Sequence, residues 1–145
     1  MSATGRFLIV RSGGERYGLG LDVVREVVDL AGSRPVPSRA PALRGVMPLR
    51  ERFCSLVHLG ALLAGTGVPE AMGDTAVIVE LGGTPMAFEV DDVEGVADRG
   101  AEHVGAGGGA FATGVWRVGG DLVTVLDLGA LAERFNEREG HDGAG

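Results

Sequence analysis

Apolar residues along this chain come in short runs broken by glycine pairs or charged turns, a pattern that predicts hairpins. Phe7 to Val10, the turn Gly13-Gly14, and Tyr17, Leu19 and Leu21 at alternate positions describe a first hairpin with one buried face. Val23, Val24, Val27 and Val28 then recur at helical spacing behind Asp22, a suitable cap, and predict a short helix. Packing must hold that helix more than propensity does, because β-branched side chains are stiff in helices. Ser33 to Pro41 carries three prolines in nine residues and reads as an extended connector. From Arg44 to Leu63 a strand (Gly45 to Leu49), a charged turn (Arg50-Glu51-Arg52), a second apolar run (Phe53 to Val57) and a helical run (Leu59 to Leu63) predict a hairpin entering a helix.

That stretch recurs. A shift of 69 residues lays Gly45-Val46 on Gly114-Val115 and Leu59 to Leu62 on an identical Leu128 to Leu131. With no gap, the same shift pairs Ile9-Val10 with Ile78-Val79, Gly13-Gly14 with Gly82-Gly83, Asp22 with Asp91, Val24 with Val93, Val27 with Val96 and Asp29 with Asp98, giving fourteen identities in one register. The chain is an internal duplication. The second copy predicts strands over Ala76 to Leu81 and Met86 to Val90, and an Asp91 to Val96 segment in which Gly95 weakens any helix. A flexible loop (Gly105 to Gly109), a hairpin from Gly114 to Leu128 turning at Gly119-Gly120, and a last helix over Leu128 to Phe135 complete it. Residues 1–5 and the polar tail Asn136 to Gly145 are expected to lack order. Two copies are too few for a solenoid or propeller, and a unit of this length buries little surface alone. The expectation is a single domain over residues 6–135, its first repeat at about 6–65 and its second at about 75–134, sharing a core and leaving room for an exchange of strands.

Charge narrows the partners. A formal net charge of −7 argues against nucleic acid and anionic membrane surfaces, which select for clustered Lys and Arg, and leaves protein as the partner. The apolar run Phe7 to Val10 is too short for a signal-peptide core, and no run approaches a membrane span. A single Cys54 permits no internal disulfide, so the reading is cytoplasmic, without membrane insertion.

Candidate chemistry is sparse. Cys54 and His58 suggest a nucleophile and base, but four residues along a strand span more than about 13 Å, so Cys54 reads as a buried structural cysteine. His58, His103 and His141 lack metal-ligand spacing. Asp91-Asp92 with Glu94 could act as an acidic pair, but Asp91 reads as the end of a strand, like its mate Asp22. The Gly105 to Gly109 loop lacks the Lys-Ser/Thr of a phosphate cradle. No catalytic set, cofactor or metal site follows. The pairs Val24/Val27 and Val93/Val96 offer apolar surface to a partner, against a default in which all four are core, the favoured reading for Val27 and Val96. Arg50 by default is a solvated turn charge.

The order Tyr17-Gly18-Leu19-Gly20-Leu21, Val24-Arg25-Glu26-Val27, a proline-rich connector, Arg44-Gly45-Val46, Leu49-Arg50, Val57-x-Leu59, Val90-Asp91-x-Val93-x-x-Val96 and Val125-Leu126-Asp127-Leu128 resembles the CheW-like chemotaxis coupling proteins, from Arg6 to about Phe135. The resemblance implies a mainly β fold of two SH3-like five-stranded barrels around a shared core, with short helices and no catalytic activity. It also implies a cytoplasmic adaptor between the chemoreceptor tip and the regulatory domain of a CheA-type histidine kinase, with other CheW-like proteins as further partners. Carried over by position, the receptor face falls on Val24, Arg50, Val93 and Val96, and the kinase face on Glu26, Gly45, Thr75 and Ala76. The chain departs from the family pattern at Pro48 and Glu51, at His58 where the family has Asp, and at Ala87 in place of glycine. Two alternatives stand beside the adaptor: an accessory member that binds one partner only, and a small-ligand-binding or catalytic barrel.

Overall fold

A computed structural model of the chain describes residues 5–30, 42–50, 52–98, 102–107, 109 and 111–144. The proline connector, Glu51 and residues 1–4 lie outside them.

Eleven strands and two helices follow in order among the described residues: β1 (Arg6–Ser12), β2 (Glu15–Gly20), β3 (Val24–Asp29), β4 (Leu43–Leu49), β5 (Arg52–His58), α1 (Leu59–Ala64), β6 (Thr75–Leu81), β7 (Thr84–Val90), β8 (Asp92–Asp98), β9 (Glu102–Gly105), β10 (Ala112–Val118), β11 (Asp121–Leu126) and α2 (Leu128–Ala144). The 69-residue shift carries β1 onto β6 and β4 onto β10 residue for residue, and places β2, β3 and β5 on β7, β8 and β11. It holds even at irregularities. The ladder shift at Val24/Glu26 against β6 has its mate at Ile9/Val10 against β8, and that at Leu43/Gly45 has its mate at Ala112/Gly114.

The two sheets do not correspond to the two halves of the chain. One runs β8-β1-β2-β11-β10-β9, the other β3-β6-β7-β5-β4. Each SH3-like strand set therefore takes its first hairpin from one repeat and its remaining strands from the other, joined through the parallel pairs β11·β2 and β5·β7. The exchange that the sequence left open thus takes place, and both barrels are composites of the repeats at 6–65 and 75–134. The first also holds a sixth strand, β9, with no counterpart among the described residues.

Exchange also explains the runs of four apolar residues. In β6, Ala76 and Ile78 point into one barrel with Leu30, Met47, Cys54, Leu56 and Ala87. Val77 and Val79 face a larger core shared by both barrels, with Leu8, Val10, Val57, Leu59, Phe88, Leu128 and Leu131. In β1, Phe7 and Ile9 likewise enter the other barrel beside Trp116, Val123 and Val125. The first hairpin is thus buried on two faces where alternation predicted one. The barrels fill equivalent space differently: Phe7 and Gly18 in one stand where Ala76 and Ala87 stand in the other. A Cβ on Gly18 would lie 2.8 Å from the Phe7 ring and 2.9 Å from Val125.

The helix expected over Val23 to Val28 is instead strand β3, and the Asp91 to Val96 segment, where Gly95 weakened any helix, is strand β8 from Asp92. β-branched residues favour strands, and β3 and β8 find antiparallel partners in β6 and β1. The tail expected to lack order continues α2 to Ala144; Glu137-Arg138-Glu139 are good helix formers, and extending a formed helix avoids nucleation.

Candidate functional site

Four two-residue turns close the antiparallel hairpins, with Ser12 paired to Glu15, Leu49 to Arg52, Leu81 to Thr84 and Val118 to Asp121. Such turns suit the right-handed strand twist when their central residues take positive φ, which glycine adopts freely. Three of them are Gly-Gly, at Gly13-Gly14, Gly82-Gly83 and Gly119-Gly120, all with positive φ. The fourth begins at Arg50, whose φ is 58°, matching the 58° of its mate Gly119. Among the described residues, Arg50 alone has positive φ without being glycine.

The Arg50 turn borders a groove of about 480 Å³ at one end of the second barrel, lined by Arg25, Glu26, Leu49, Arg50, Ile78, Glu80 and Pro85. Leu49 and Pro85 supply its apolar surface, over the buried Ile78. Arg25 and Glu80 pair across the β3–β6 edge, Nε to Oε1 at 3.1 Å, with both side chains well exposed. Arg50 and Glu26 are exposed and make no ion pair among the described residues.

The equivalent end of the other barrel carries a different set of charges. Glu94 is the mate of Arg25 and Arg11 the mate of Glu80, so the same pair forms with its signs reversed, Arg11 Nη1 to Glu94 Oε2 at 2.8 Å. Arg16, standing where Pro85 stands, adds Nε to Glu94 Oε1 at 2.7 Å and lies 3.7 Å from Asp121. The hydrogen bond from Arg16 holds the Glu94 carboxyl below its usual range. Two cations thus gather around one carboxylate in the first barrel. In the second, Pro85 cannot contribute a cation, Glu26 stands in place of Gly95, and Arg50 in place of Gly119.

The structure redistributes the residues named from the sequence. Arg50 and Glu26, assigned to different faces, line one groove. Val24 and Val93 are half-buried against the shared core, whereas Val27 and Val96 are 46% and 50% exposed. That corrects the default for Val27 and Val96, which project from edge strands. Val93 and Val96 lie on β8 of the other sheet, away from the groove. Of the kinase-face set, Thr75 is half-buried at the start of β6, Gly45 is buried on the edge strand β4, and Ala76 is fully buried inside the barrel. A side chain at 76 therefore cannot meet a partner directly.

The remaining candidates have structural partners. Cys54 packs inside the second barrel, where its mate is Val123. His58 Nδ1 accepts from the Ala61 N–H and caps α1. His103 stacks on Trp116 with centroids 4.7 Å apart. Asp91 accepts from the Gly13 N–H at 2.9 Å, pinning the opposite hairpin, and Asp92 accepts from the Val93 N–H. The side chain of His141 is outside the described ones, as is Gly108 of the glycine loop. Among the described residues no cluster of three or more His, Cys, Asp or Glu could hold a metal ion, and no described helix is long and apolar enough to cross a membrane. Sequence reasoning missed Arg25, Leu49, Glu80 and Pro85. For Arg25, Glu80 and Pro85 the signal was available in the 69-residue shift, where arginine stands in one copy only; Leu49, whose mate is Val118, carried no such signal.

A model of the CheW-like domain family matches residues 6–136. The fold superposes on the crystal structure of the scaffolding protein TtCheW from Thermoanaerobacter tengcongensis with a TM-score of 0.73 and 21% sequence identity, covering 88% of this chain and 92% of that one. No curated protein sequence matches the chain.

Proposed function

This chain belongs to the CheW-like domain family, and on that premise we propose that it is a non-catalytic adaptor coupling chemoreceptor tips to a CheA-type histidine kinase, with the Arg50 groove as a protein-docking site. One observation carries the reading. At Arg50 the fold calls for glycine, as three equivalent turns show, yet an exposed arginine holds the strained conformation beside an apolar groove. Left-handed backbone costs a non-glycine residue roughly 1–2 kcal/mol, and such strain collects at functional sites. A guanidinium there offers up to two parallel hydrogen bonds to a carboxylate or to backbone carbonyls on a partner helix, while Leu49 and Pro85 offer apolar contact.

The test is titration of the full chain against an isolated receptor tip and an isolated kinase regulatory domain, in separate experiments. Saturable binding to both supports the adaptor; binding to neither refutes it. A second reading, an accessory protein that binds one partner only, draws on the kinase-face set: Gly45 and Ala76 are buried, leaving Glu26 and Thr75 accessible. Receptor binding without kinase binding would select it. The array position and cytoplasmic location that the adaptor role implies belong to the same proposal.

A further inference from the structure

His58 stands at the point where β5 turns into α1, and it is 6% exposed. Its Nδ1 accepts the Ala61 N–H at 3.0 Å, satisfying one of the donors a helix leaves open at its start. An imidazole nitrogen can accept only when it carries no proton, so the cap requires a neutral ring. The second repeat does the same work with a carboxylate: Asp127 Oδ1 accepts the Ala130 N–H at 3.1 Å. An aspartate stays an acceptor throughout the range near neutrality, whereas a histidine does not.

The helix this cap starts is a wedge. Leu59, Ala61 and Leu62 are all buried in the core shared by the two barrels. Its first turn has one further tie, from the Gly60 N–H to the Ser12 Oγ on β1 at 3.2 Å.

The charged groups around His58 come from three elements. Glu89 on β7 is fully buried and lies opposite His58 in the parallel ladder. It already accepts Arg44 Nε at 2.8 Å, Arg44 Nη2 at 3.0 Å and the Gly73 N–H at 2.7 Å. Arg44, on β4, also donates to the carbonyls of Pro69 and Ala71, tying down the segment between the repeats. Asp91 follows β7 and is engaged with Gly13. Arg44 thus offsets part of the attraction that Glu89 holds for a proton on His58. Burial pushes the imidazole pKa down; the attraction of Glu89 opposes this, Arg44 adds to it, and Asp91 opposes it weakly.

We propose that His58 is a proton switch at the barrel junction: neutral, it caps α1 and holds the wedge of the shared core, and protonated, it releases that cap. The direction follows from linkage. A free imidazole takes up its proton near pH ~6.5, and the folded chain resists doing so until a lower pH. Between those values the unfolded chain binds more protons, so the stability supplied by the neutral cap is complete above about pH 6.5 and is lost as pH falls toward the folded value.

The experiment uses the full chain and His58→Asn, whose amide oxygen can accept the Ala61 N–H but does not titrate. Amide-exchange protection at Gly60 and Ala61 is compared at pH 7.5 and 5.0, alongside the imidazole titration of His58 in the wild type by NMR. The expected result is a wild-type protection factor at Ala61 falling about tenfold relative to His58→Asn, since one proton taken up differently changes the equilibrium up to about tenfold per pH unit. The His58 ring should titrate below the free value. Equal pH dependence in the two proteins overturns the proposal. So does a His58 ring titrating at or above the free value, a measurement on the wild type that holds even if the variant fails to fold.

Discussion

Arg50 gives the strongest prediction, because the repeat supplies the glycine that the fold prefers at the same place. Consider Arg50→Gly. The substitution removes a positive-φ strain of roughly 1–2 kcal/mol and adds backbone freedom to the unfolded chain worth about 0.5–1 kcal/mol, so the net change is a gain of about 0.5 kcal/mol. At this chain length that raises Tm by about 1–2 °C. Arg50→Ala keeps the strain and breaks no ion pair among the described residues, so its thermal unfolding should stay within about 0.5 kcal/mol of wild type. Both variants remove the guanidinium from the groove. If it docks on a receptor helix, each lowers receptor-tip affinity by ~30-fold or more, equivalent to ~2 kcal/mol, and leaves kinase-domain binding intact. Calorimetric scans of the three proteins and titrations against each isolated partner measure both quantities. A less stable Arg50→Gly protein would refute the strain argument; unchanged receptor affinity would remove Arg50 from the site; equal losses toward both partners would point to a folding defect.

Three further outcomes follow from the packing. Glu89→Gln leaves the buried Arg44 guanidinium without its counter-charge and should cost about 3–5 kcal/mol in urea unfolding; a loss under about 1 kcal/mol would contradict the pairing. Gly18→Ala pushes a methyl into the Phe7 ring and should cost about 1–3 kcal/mol, and Phe7→Ala, which copies the other barrel, should make that methyl cheaper in a double-mutant cycle. Cys54→Ala should cost about 1 kcal/mol and leave partner binding unchanged, whereas a folded but inactive protein would bring thiol chemistry back.

Register was legible in the sequence to a degree that element type was not. The 69-residue shift paired the halves well enough to match even the bulges, because a one-residue slip would turn every buried strand residue outward. Val24 to Val28 still read as a helix, since a bulge at Arg25 breaks strict alternation and leaves valines at spacings that also fit a helix. The exchange of strands was open because contiguous and exchanged barrels demand the same apolar runs. Four apolar residues in a row at Phe7 to Val10 and Ala76 to Val79 marked strands buried on both faces, with no polar side to show, but not which repeat supplies their neighbours. Of the residues lining the groove, Arg50 and Glu26 had been named from the sequence, for different partner faces. Their meeting in one groove was not legible, because β3 and the β4–β5 turn come together only across β6, β7 and β5.

A duplication also separates what the fold requires from what one copy adds. Positions where both repeats keep the same chemistry, such as Leu59 and Leu128, hold the shared core and say nothing of partners. Gly119, Gly95, Arg16 and Asp127 satisfy one barrel end and one helix cap; their mates Arg50, Glu26, Pro85 and His58 bring different chemistry to the same places. Arg50 holds a glycine's conformation, and His58 fills an aspartate's role with a group that protonates near neutrality. Pro85 gives up the cation that pairs with Glu94 at the opposite barrel's end. These changes concentrate on the second barrel, three at one groove and one at the helix that locks it to its neighbour. If the fold alone had set them, exchanging residues between mates would be neutral in both directions. The prediction is therefore asymmetric: writing the first barrel's residues into the second, as Arg50→Gly with Glu26→Gly, should leave Tm within about 2 °C of wild type, because the strain relieved at 50 offsets the backbone freedom a strand glycine adds at 26, and abolish receptor binding. The reverse change, Gly119→Arg, should cost about 1–2 kcal/mol of stability and create no binding, because Arg11 and Arg16 already gather around Glu94 there. Receptor binding gained by Gly119→Arg, or retained by the double variant, would refute the assignment of function to the groove.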